Sequence, residues 1–335
     1  MIKDQVITDD YAIYCSDCMY VLPTLKSESI DLSIYSPPFA GLYNYSSSEN
    51  DFSNCETREQ FLHQYEFLIA EIARVTKPGR ITAVHCTDIM NKDGSMWDFP
   101  HEIIELHAKY GFKNRNRITI WKEPLKVRMR TMVRSLMHKL IVEDSTECFT
   151  AMPDYVLIFK KNGLNEVPVT HPVGLSYYAG AVPILPEMSE KYGTFEQLTA
   201  KYKNHKDPKT NKLSHIIWQR YASSVWDDIR IDEVLQYKES KDEDDEKHVH
   251  PLQLDVIDRL TELYSNPGEV VLTPFMGVGS EVFSPVSLGR RGVGIELKDS
   301  YFKQAIKNLS GVKARFTKDK STNMFEAVDI EQTEL

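Results

Sequence analysis

The sequence predicts an α/β fold, a sheet of buried strands covered by helices, on three observations. Apolar runs of strand length alternate with segments of helical spacing at both ends of the chain. Turn signals, Lys77-Pro78-Gly79 and Asn266-Pro267-Gly268, fall between them. Near the C-terminal end a strand candidate enters a glycine turn just before a helix candidate.

Taken in order, residues 29–35 are the first clear strand and end at Pro37-Pro38. Residues 59–75 put Phe61, Tyr65, Leu68, Ile69, Ile72 and Val75 three and four apart, which predicts a helix. Lys77-Pro78-Gly79 stops that helix and turns the chain into a strand at 80–85. Residues 99–110 read as a helix closed by Gly111, and 117–121 and 155–159 as two further strands. Residues 163–247 lack regular periodicity. They hold Pro168, Pro172, Pro183, Pro186 and Pro208 and a lysine-rich stretch from Lys201 to Lys212, and read as a separate small region or large insertion. The α/β rhythm resumes with a helix at 251–264, a strand at 269–273, a helix from about Ser280, a strand at 292–297 and a helix at 301–309. A last edge strand is expected at 312–316, before a polar tail. The chain therefore divides at 1–162, 163–247 and 248–335.

At 41% hydrophobic and 27% charged, the chain has the composition of an ordinary soluble protein with a sizeable core. No signal peptide opens it and no apolar run reaches membrane-span length, so a cytoplasmic location is expected. Cysteines 15, 18, 55, 86 and 148 are odd in number and irregularly spaced. Cys15 and Cys18 lack a second pair to complete a zinc site, and His85, Cys86 and His101 suggest no metal geometry either. The net charge of −9 argues against a protein coated in nucleic acid, but the charge is segregated. Residues 109–139 contain ten Lys or Arg and one acid, Glu123, whereas 227–246 are strongly acidic. A local basic patch is what phosphate contacts require, and two opposed solvated faces would produce the same pattern.

Two segments carry chemistry. Residues 270–275 lead into Gly277 and Gly279, which let the backbone turn sharply and approach a ligand closely. Glu296, at the end of the next strand, is placed to accept hydrogen bonds from the hydroxyls of an adenosine ribose. The alternative is a tight turn with a surface acid. Loop and acid together point to an adenosine cofactor without separating NAD from S-adenosylmethionine.

Ser36-Pro37-Pro38-Phe39 separates them. Its prolines hold the backbone extended, so the Pro37 carbonyl and Ser36 Oγ form a fixed pair of acceptors. Such a pair suits the two hydrogens of an exocyclic amino group, whose lone pair is delocalised into its ring until it is bent toward tetrahedral geometry and aimed at a sulfonium methyl. Phe39 offers a stacking face, and a base in a duplex must be flipped out to reach it. On its own, this tetrapeptide would more often be a rigid turn with a core phenylalanine.

Ser36-Pro37-Pro38-Phe39, the segment 275–280 (FMGVGS) and Gly294-Ile295-Glu296 resemble the signature elements of the amino-group DNA methyltransferases, which modify cytosine N4 or adenine N6. Their order is similar to the beta arrangement of that family, a circular permutation with the catalytic tetrapeptide first. Asp17 resembles the acid of the family's lead-in, near the cofactor pocket, and His250-Pro251 its His-Pro segment. The resemblance covers roughly 11–160 and 248–310. It implies an S-adenosylmethionine-dependent methyltransferase fold with a seven-stranded, mostly parallel sheet and one antiparallel strand. By the same resemblance, 163–247 is the target-recognition region, and Asp17, His250, Pro251, Thr273, Phe275, Gly277, Gly279, Ser280 and Glu296 bind the cofactor. Two positions depart from the family pattern. Thr273 stands where an Asp is usual, removing a charge that would meet the cofactor's ammonium group, and the loop continues GVGSE rather than GSGTT.

Serine at position 36 leans the reading toward cytosine N4, with adenine N6 the alternative. Double-stranded DNA is the expected partner. Arg115, Arg117, Lys126, Arg128, Arg130 and Arg134, within a basic stretch at 113–139, are expected on its phosphates, together with Lys206 and Lys209. Arg130 and Arg134 are four apart and suggest one helical face. Tyr43 and Tyr45 either close over the flipped base or pack in the core, and Trp121, Trp218 and Trp226 are read as core. The resemblance also suggests a homodimer and leaves room for a companion restriction endonuclease. Other classes stay open: a silent DNA-binding module, a methyltransferase of RNA or a protein amide, and an NAD-linked oxidoreductase, which leaves residues 36–39 unexplained.

Overall fold

A computed structural model describes residues 1–38, 55, 57–91, 93–240 and 251–312, with the side chains at 130 and 131 outside that description. Its strands are β1 (Asp4–Ile7), β2 (Tyr11–Cys15), β3 (Ile30–Tyr35), β4 (Thr76–Cys86), β5 (Ile89–Met90), β6 (Met96–Trp97), β7 (Phe112–Ile120), β8 (Asp154–Lys161), β9 (Val225–Trp226), β10 (Val270–Thr273) and β11 (Arg291–Glu296). The helices are α1 (Cys18–Val21), α2 (Arg58–Val75), α3 (Phe99–Lys109), α4 (Pro124–Thr131), α5 (His138–Glu143), α6 (Pro186–Tyr192), α7 (Phe195–Tyr202), α8 (Lys212–Tyr221), α9 (Leu254–Tyr264), α10 (Ser280–Ser287) and α11 (Asp299–Leu309).

Nine strands form one sheet in the order β1-β2-β11-β10-β3-β4-β8-β7-β9. The seven from β2 to β7 are the expected core, with β8 antiparallel to both β4 and β7 and the rest parallel. Two edge strands extend it: β1 antiparallel to β2, and β9 parallel to β7. Helices cover both faces. On β8, Leu157 and Phe159 point to the layer of α2 and α3, and Val156 and Ile158 to the layer of α9. Both faces being buried, these strands are apolar on successive residues.

Local chemistry sets the boundaries. Thr57 caps α2 by accepting from Gln60 N at 3.2 Å, and Asp98 caps α3 by accepting from His101 N at 3.0 Å. Lys77-Pro78-Gly79 does not turn the chain as expected. Strand β4 begins at Thr76 and runs through it as a bulge, the partner register jumping from Ile30↔Thr76 to Leu32↔Ile81. Gly79 sits at φ +71°, and a Cβ there would lie 2.5 Å from Asn165 N, so only glycine fits.

Residues 163–247 carry more structure than their sequence suggested. Helices α6, α7 and α8 enclose a small core of Leu175, Leu198, Leu213, Ile216, Ile217 and Tyr221. Prolines misled the reading: Pro186 opens α6, where a missing N–H costs nothing. This unit is pinned to α9 by the fully buried Arg259, which donates to Ala179 O and Asp228 Oδ1, both at 2.7 Å. Its guanidinium lies 5.0–5.3 Å from the ring centroids of Tyr178, Tyr221 and Trp226. Trp226 is core as expected, but Trp121 and Trp218 are exposed. Residues 313–316 of the expected last strand lie outside the described residues.

Candidate active site at the carboxyl edge of the sheet

Residues distant in sequence converge here because of strand pairing. Strands β10 and β3 lie side by side and parallel, with Val271↔Leu32 and Leu272↔Ser33, and the strand that follows each lies on its far side, β11 beyond β10 and β4 beyond β3. The loops leaving those two strands therefore emerge together, at the switch point where open α/β sheets bind ligands. Phe275, two residues beyond β10, meets Tyr35, the last residue of β3, edge to face at 6.0 Å. The glycine loop and the tetrapeptide are thus neighbours.

On the cofactor side, Met276 N donates to Ile295 O at 2.8 Å and Gly277 N to Glu296 Oε2 at 2.7 Å, tying the loop to the end of β11. Lys298 N donates to the other oxygen, Glu296 Oε1, at 2.8 Å. A carboxylate accepts about four hydrogen bonds, so two main-chain donors leave capacity for hydroxyls. Ser16 N donates to Glu296 O at 2.9 Å, which brings Asp17 to the same edge, where it caps α1 through Met19 N at 2.8 Å. The two glycines differ in role. Gly277, at φ +54°, has none of the described residues within 4 Å of a Cβ built there; Gly279, at φ +99°, packs on α11, 3.3 Å from Ala305 Cβ. Gly277 alone therefore leaves room for a ligand; Gly279 serves the turn and the helix packing.

Thr273 Oγ1 and Ser280 Oγ are buried and have no hydrogen-bond partner among the described residues. Buried hydroxyls without partners are costly, and a polar ligand would relieve them. Thr273, Ser280, the space at Gly277 and the Glu296 carboxylate together suit an adenosyl amino acid. Beside them Glu281 is buried, and burial, reinforced by the charge of Glu296, pushes its pKa up to about 8. Pro251 lies half-buried ahead of α9, while His250 falls outside the described residues.

On the catalytic side, Pro37 is buried and Ser36 and Pro38 are half-buried. Phe39, Tyr43 and Tyr45 lie outside the described residues. Ser36 Oγ sits 3.1 Å from His85 Nδ1 and 3.2 Å from the His85 carbonyl. His85 Nε2 lies 3.2 Å from Asp154 Oδ2, within ion-pair distance although the N–H is not aligned for a hydrogen bond. Lys122 Nζ binds the other oxygen of Asp154. Burial would raise the Asp154 pKa, but Lys122 and His85 outweigh it and bring it down to about 2. Asp154 therefore stays a carboxylate. The sequence reading missed both His85 and Asp154. Their only signal is position: each sits at the carboxyl edge of a strand or, in antiparallel β8, at the start of one.

The basic residues divide. Arg115 and Arg117 are exposed on β7, with Arg117 over the Tyr155 ring at 5.3 Å. Lys126 is exposed and Arg128 half-buried on α4, Arg134 is exposed, and Lys206 and Lys209 are exposed between α7 and α8. The single helical face expected for Arg130 and Arg134 does not form. Helix α4 ends at Thr131, Met132 takes a left-handed cap at φ +55°, and Arg134 starts a separate 3-10 turn. Among the described residues no group of three His, Cys, Asp or Glu is placed to hold a metal. No described helix is long and apolar enough to cross a membrane.

The family model for N6 and N4 methyltransferases, described as DNA methylase, matches residues 30–307. The Type II methyltransferase M.BglII of Bacillus subtilis is 24% identical over 301 residues, covering 89% of this chain and 69% of that protein. The DNA adenine methyltransferase YhdJ of Escherichia coli K12 is 24% identical over 296 residues, covering 88% and 80%. Among solved structures, the cytosine-N4-specific PvuII DNA methyltransferase superposes with a TM-score of 0.55 at 13% identity, over 95% of this chain and 92% of that one. The modification methylase TTHA0409 of Thermus thermophilus, solved in complex with S-adenosyl-L-methionine, gives a TM-score of 0.55 at 19% identity, over 92% of this chain and all of that one. At these identities the two structures establish the fold.

Proposed function

This chain belongs to the DNA methylase family of N6 and N4 methyltransferases, and on that premise we propose that it methylates the N4 amino group of a cytosine flipped out of double-stranded DNA. The observation that carries this reading is the juxtaposition of Ser36-Pro37, at the end of β3, with the glycine loop at the end of β10. S-adenosyl-L-methionine supplies the electrophilic methyl group. Glu296 would hold its ribose, and Thr273, Ser280 and the space at Gly277 its remaining polar groups, with Asp17, Phe275 and Pro251 bordering the pocket. Ser36 Oγ and the Pro37 carbonyl accept the hydrogens of the target amino group and aim its lone pair. A second reading, adenine N6, is favoured by the likeness to an adenine methyltransferase, since the same acceptor pair serves either base.

Within residues 163–247, helices α6, α7 and α8 enclose a core of their own, and we assign this region to target recognition. Arg115, Arg117, Lys126, Arg128 and Arg134 with Lys206 and Lys209 would contact phosphates. A homodimer and a companion restriction endonuclease remain proposals by analogy with the Type II relatives. The test is incubation with unmethylated DNA and isotopically labelled cofactor, followed by nucleoside mass spectrometry. N4-methylcytosine is the expected product. N6-methyladenine would transfer the reading to the second base, and no methylated nucleoside would sink both.

A further inference from the structure

The reaction leaves a proton to be placed. When the amino nitrogen takes the methyl group, its lone pair becomes the new N–C bond and the electrons of the broken S–C bond stay on sulfur. The nitrogen becomes positive and must shed one hydrogen as a proton. Ser36 Oγ, as an acceptor of that hydrogen, is the nearest exit, but an alcohol does not keep a second proton.

We infer that His85, held by Asp154, receives this proton through Ser36, so that the three residues form a relay beneath the target amino group. The inference rests on the amino-methylation reading above. Its geometry is the 3.1 Å contact of Ser36 Oγ with His85 Nδ1 and the 3.2 Å approach of His85 Nε2 to Asp154 Oδ2. A carboxylate beside Nε2 favours the tautomer with its proton there, which leaves Nδ1 as the acceptor facing Ser36. In the step, the amino proton passes to Ser36 Oγ as the Ser36 hydroxyl proton passes to Nδ1. His85 then becomes an imidazolium paired with Asp154, which remains a carboxylate because Lys122 is also bound to it. His85 and Asp154 act through Ser36 and are positioning residues. Among the described residues, the charged groups in contact with this stretch are Asp154 at the start of β8 and Lys122 beyond β7, and the neutral Gln253, the cap of α9, borders the adjoining cavity. Across an adjoining cavity of about 350 Å³, bordered by Asp154 itself, lie Lys126 and Asp232. That cavity brings solvent to the far end of the relay.

Two readouts test this. Side-chain nitrogen spectra of the histidines need no turnover: the His85 signal, identified by its loss in His85→Gln, should show a proton on Nε2, and Ser36→Ala should shift Nδ1 toward a free acceptor. Single-turnover methyl transfer measured against pH should fall on the acid side along the His85 titration seen in those spectra. His85→Gln should slow transfer by about 10²-fold, the lower end for a lost general base, and abolish that limb, with cofactor affinity unchanged. Should His85→Gln fail to fold, Asp154→Asn serves, since it keeps shape and removes charge. It should slow transfer as His85→Gln does, with cofactor affinity unchanged. A proton found on Nδ1, an unchanged acid limb in an active His85→Gln, or undiminished transfer in Asp154→Asn would overturn the relay. A wild-type protein that binds cofactor but makes no methylated nucleoside would instead overturn the function on which it rests.

Discussion

At the end of β3 the Ser36 hydroxyl already has a partner in His85, whereas at the end of β10 the buried hydroxyls have none among the described residues. Ser36 is engaged by His85, His85 by Asp154, and Asp154 by Lys122. Across the switch point, Thr273 Oγ1 and Ser280 Oγ are buried without partners among the described residues, and the Glu281 carboxyl is buried beside a like charge. The contrast fits two jobs. A group that must stabilise charge during reaction gains from being held before the substrate arrives. A pocket for a polar ligand gains from groups that only the ligand can satisfy, at a cost of about 1–3 kcal/mol for each group left unmade. The catalytic side should then respond to mutation in rate, and the cofactor side in affinity and stability.

Ser36→Ala tests the first half with the largest effect. Loss of one preorganised acceptor should lower single-turnover methyl transfer by about 10²–10³-fold, the scale of removing one oxyanion-hole donor. The dissociation constant for S-adenosylmethionine, measured by calorimetry, should stay where it was. Weakened cofactor binding in that variant would blur the division. Glu296→Ala should do the reverse. Losing charge-assisted hydrogen bonds worth about 1.5–3 kcal/mol should weaken cofactor binding by roughly 10- to 100-fold. Transfer at saturating cofactor should change little, and an unaltered dissociation constant would remove Glu296 from the ribose.

Glu281 sharpens the stability half. Its pKa in the folded chain is near 8, against an ordinary value of 4.5. Below the lower value both states hold the proton. Between the two, the unfolded chain has released it and the folded chain has not, so stability falls as pH rises through that window and levels off above it. Glu281→Gln removes the slope. The variant should gain on wild type between pH 5 and pH 8, by roughly 1–2 °C in melting temperature for each kcal/mol recovered. Parallel melting curves at both pH values would show that the carboxyl is not held neutral.

The division also explains which parts of the site the sequence could reveal. Residues 36–39 and 275–280 are contiguous, because each loop grips its ligand with neighbouring backbone, and such segments survive as readable motifs. The relay is not contiguous. Ser36 and His85 are 49 positions apart, and Asp154 comes from an antiparallel strand, so only the pairing of β3, β4 and β8 assembles them. Six of the seven core strands were readable from their apolar runs, but the buried β2 at the start of the chain was not. The helices of 163–247 were not, since segments of seven to ten residues are too short for a periodicity to stand out. Lys77-Pro78-Gly79 was misread because a bulge and a turn use the same residues, and only the partner strand distinguishes them.

The smallest effects should come from the surface, which belongs to neither side of the comparison. Arg115 and Arg117 project from β7, whose far end runs into the segment that carries Lys122. If they sit on phosphates, each releases about 0.9 of a counterion when DNA binds. Arg115→Glu with Arg117→Glu should therefore flatten the slope of log affinity against log salt by about 1.8, weakening binding uniformly across DNA sequences. Transfer from a saturated complex should be unaffected, since neither residue touches Ser36, His85 or Asp154 among the contacts described. The measurement is fluorescence anisotropy on a short duplex at several salt concentrations. An unchanged slope would make this exposed pair a solvated face and move the phosphate contacts to Lys126, Arg134 or the Lys206–Lys209 loop. A changed slope with slowed transfer would mean that DNA docking and the catalytic side are coupled, and the comparison would then need three regions rather than two.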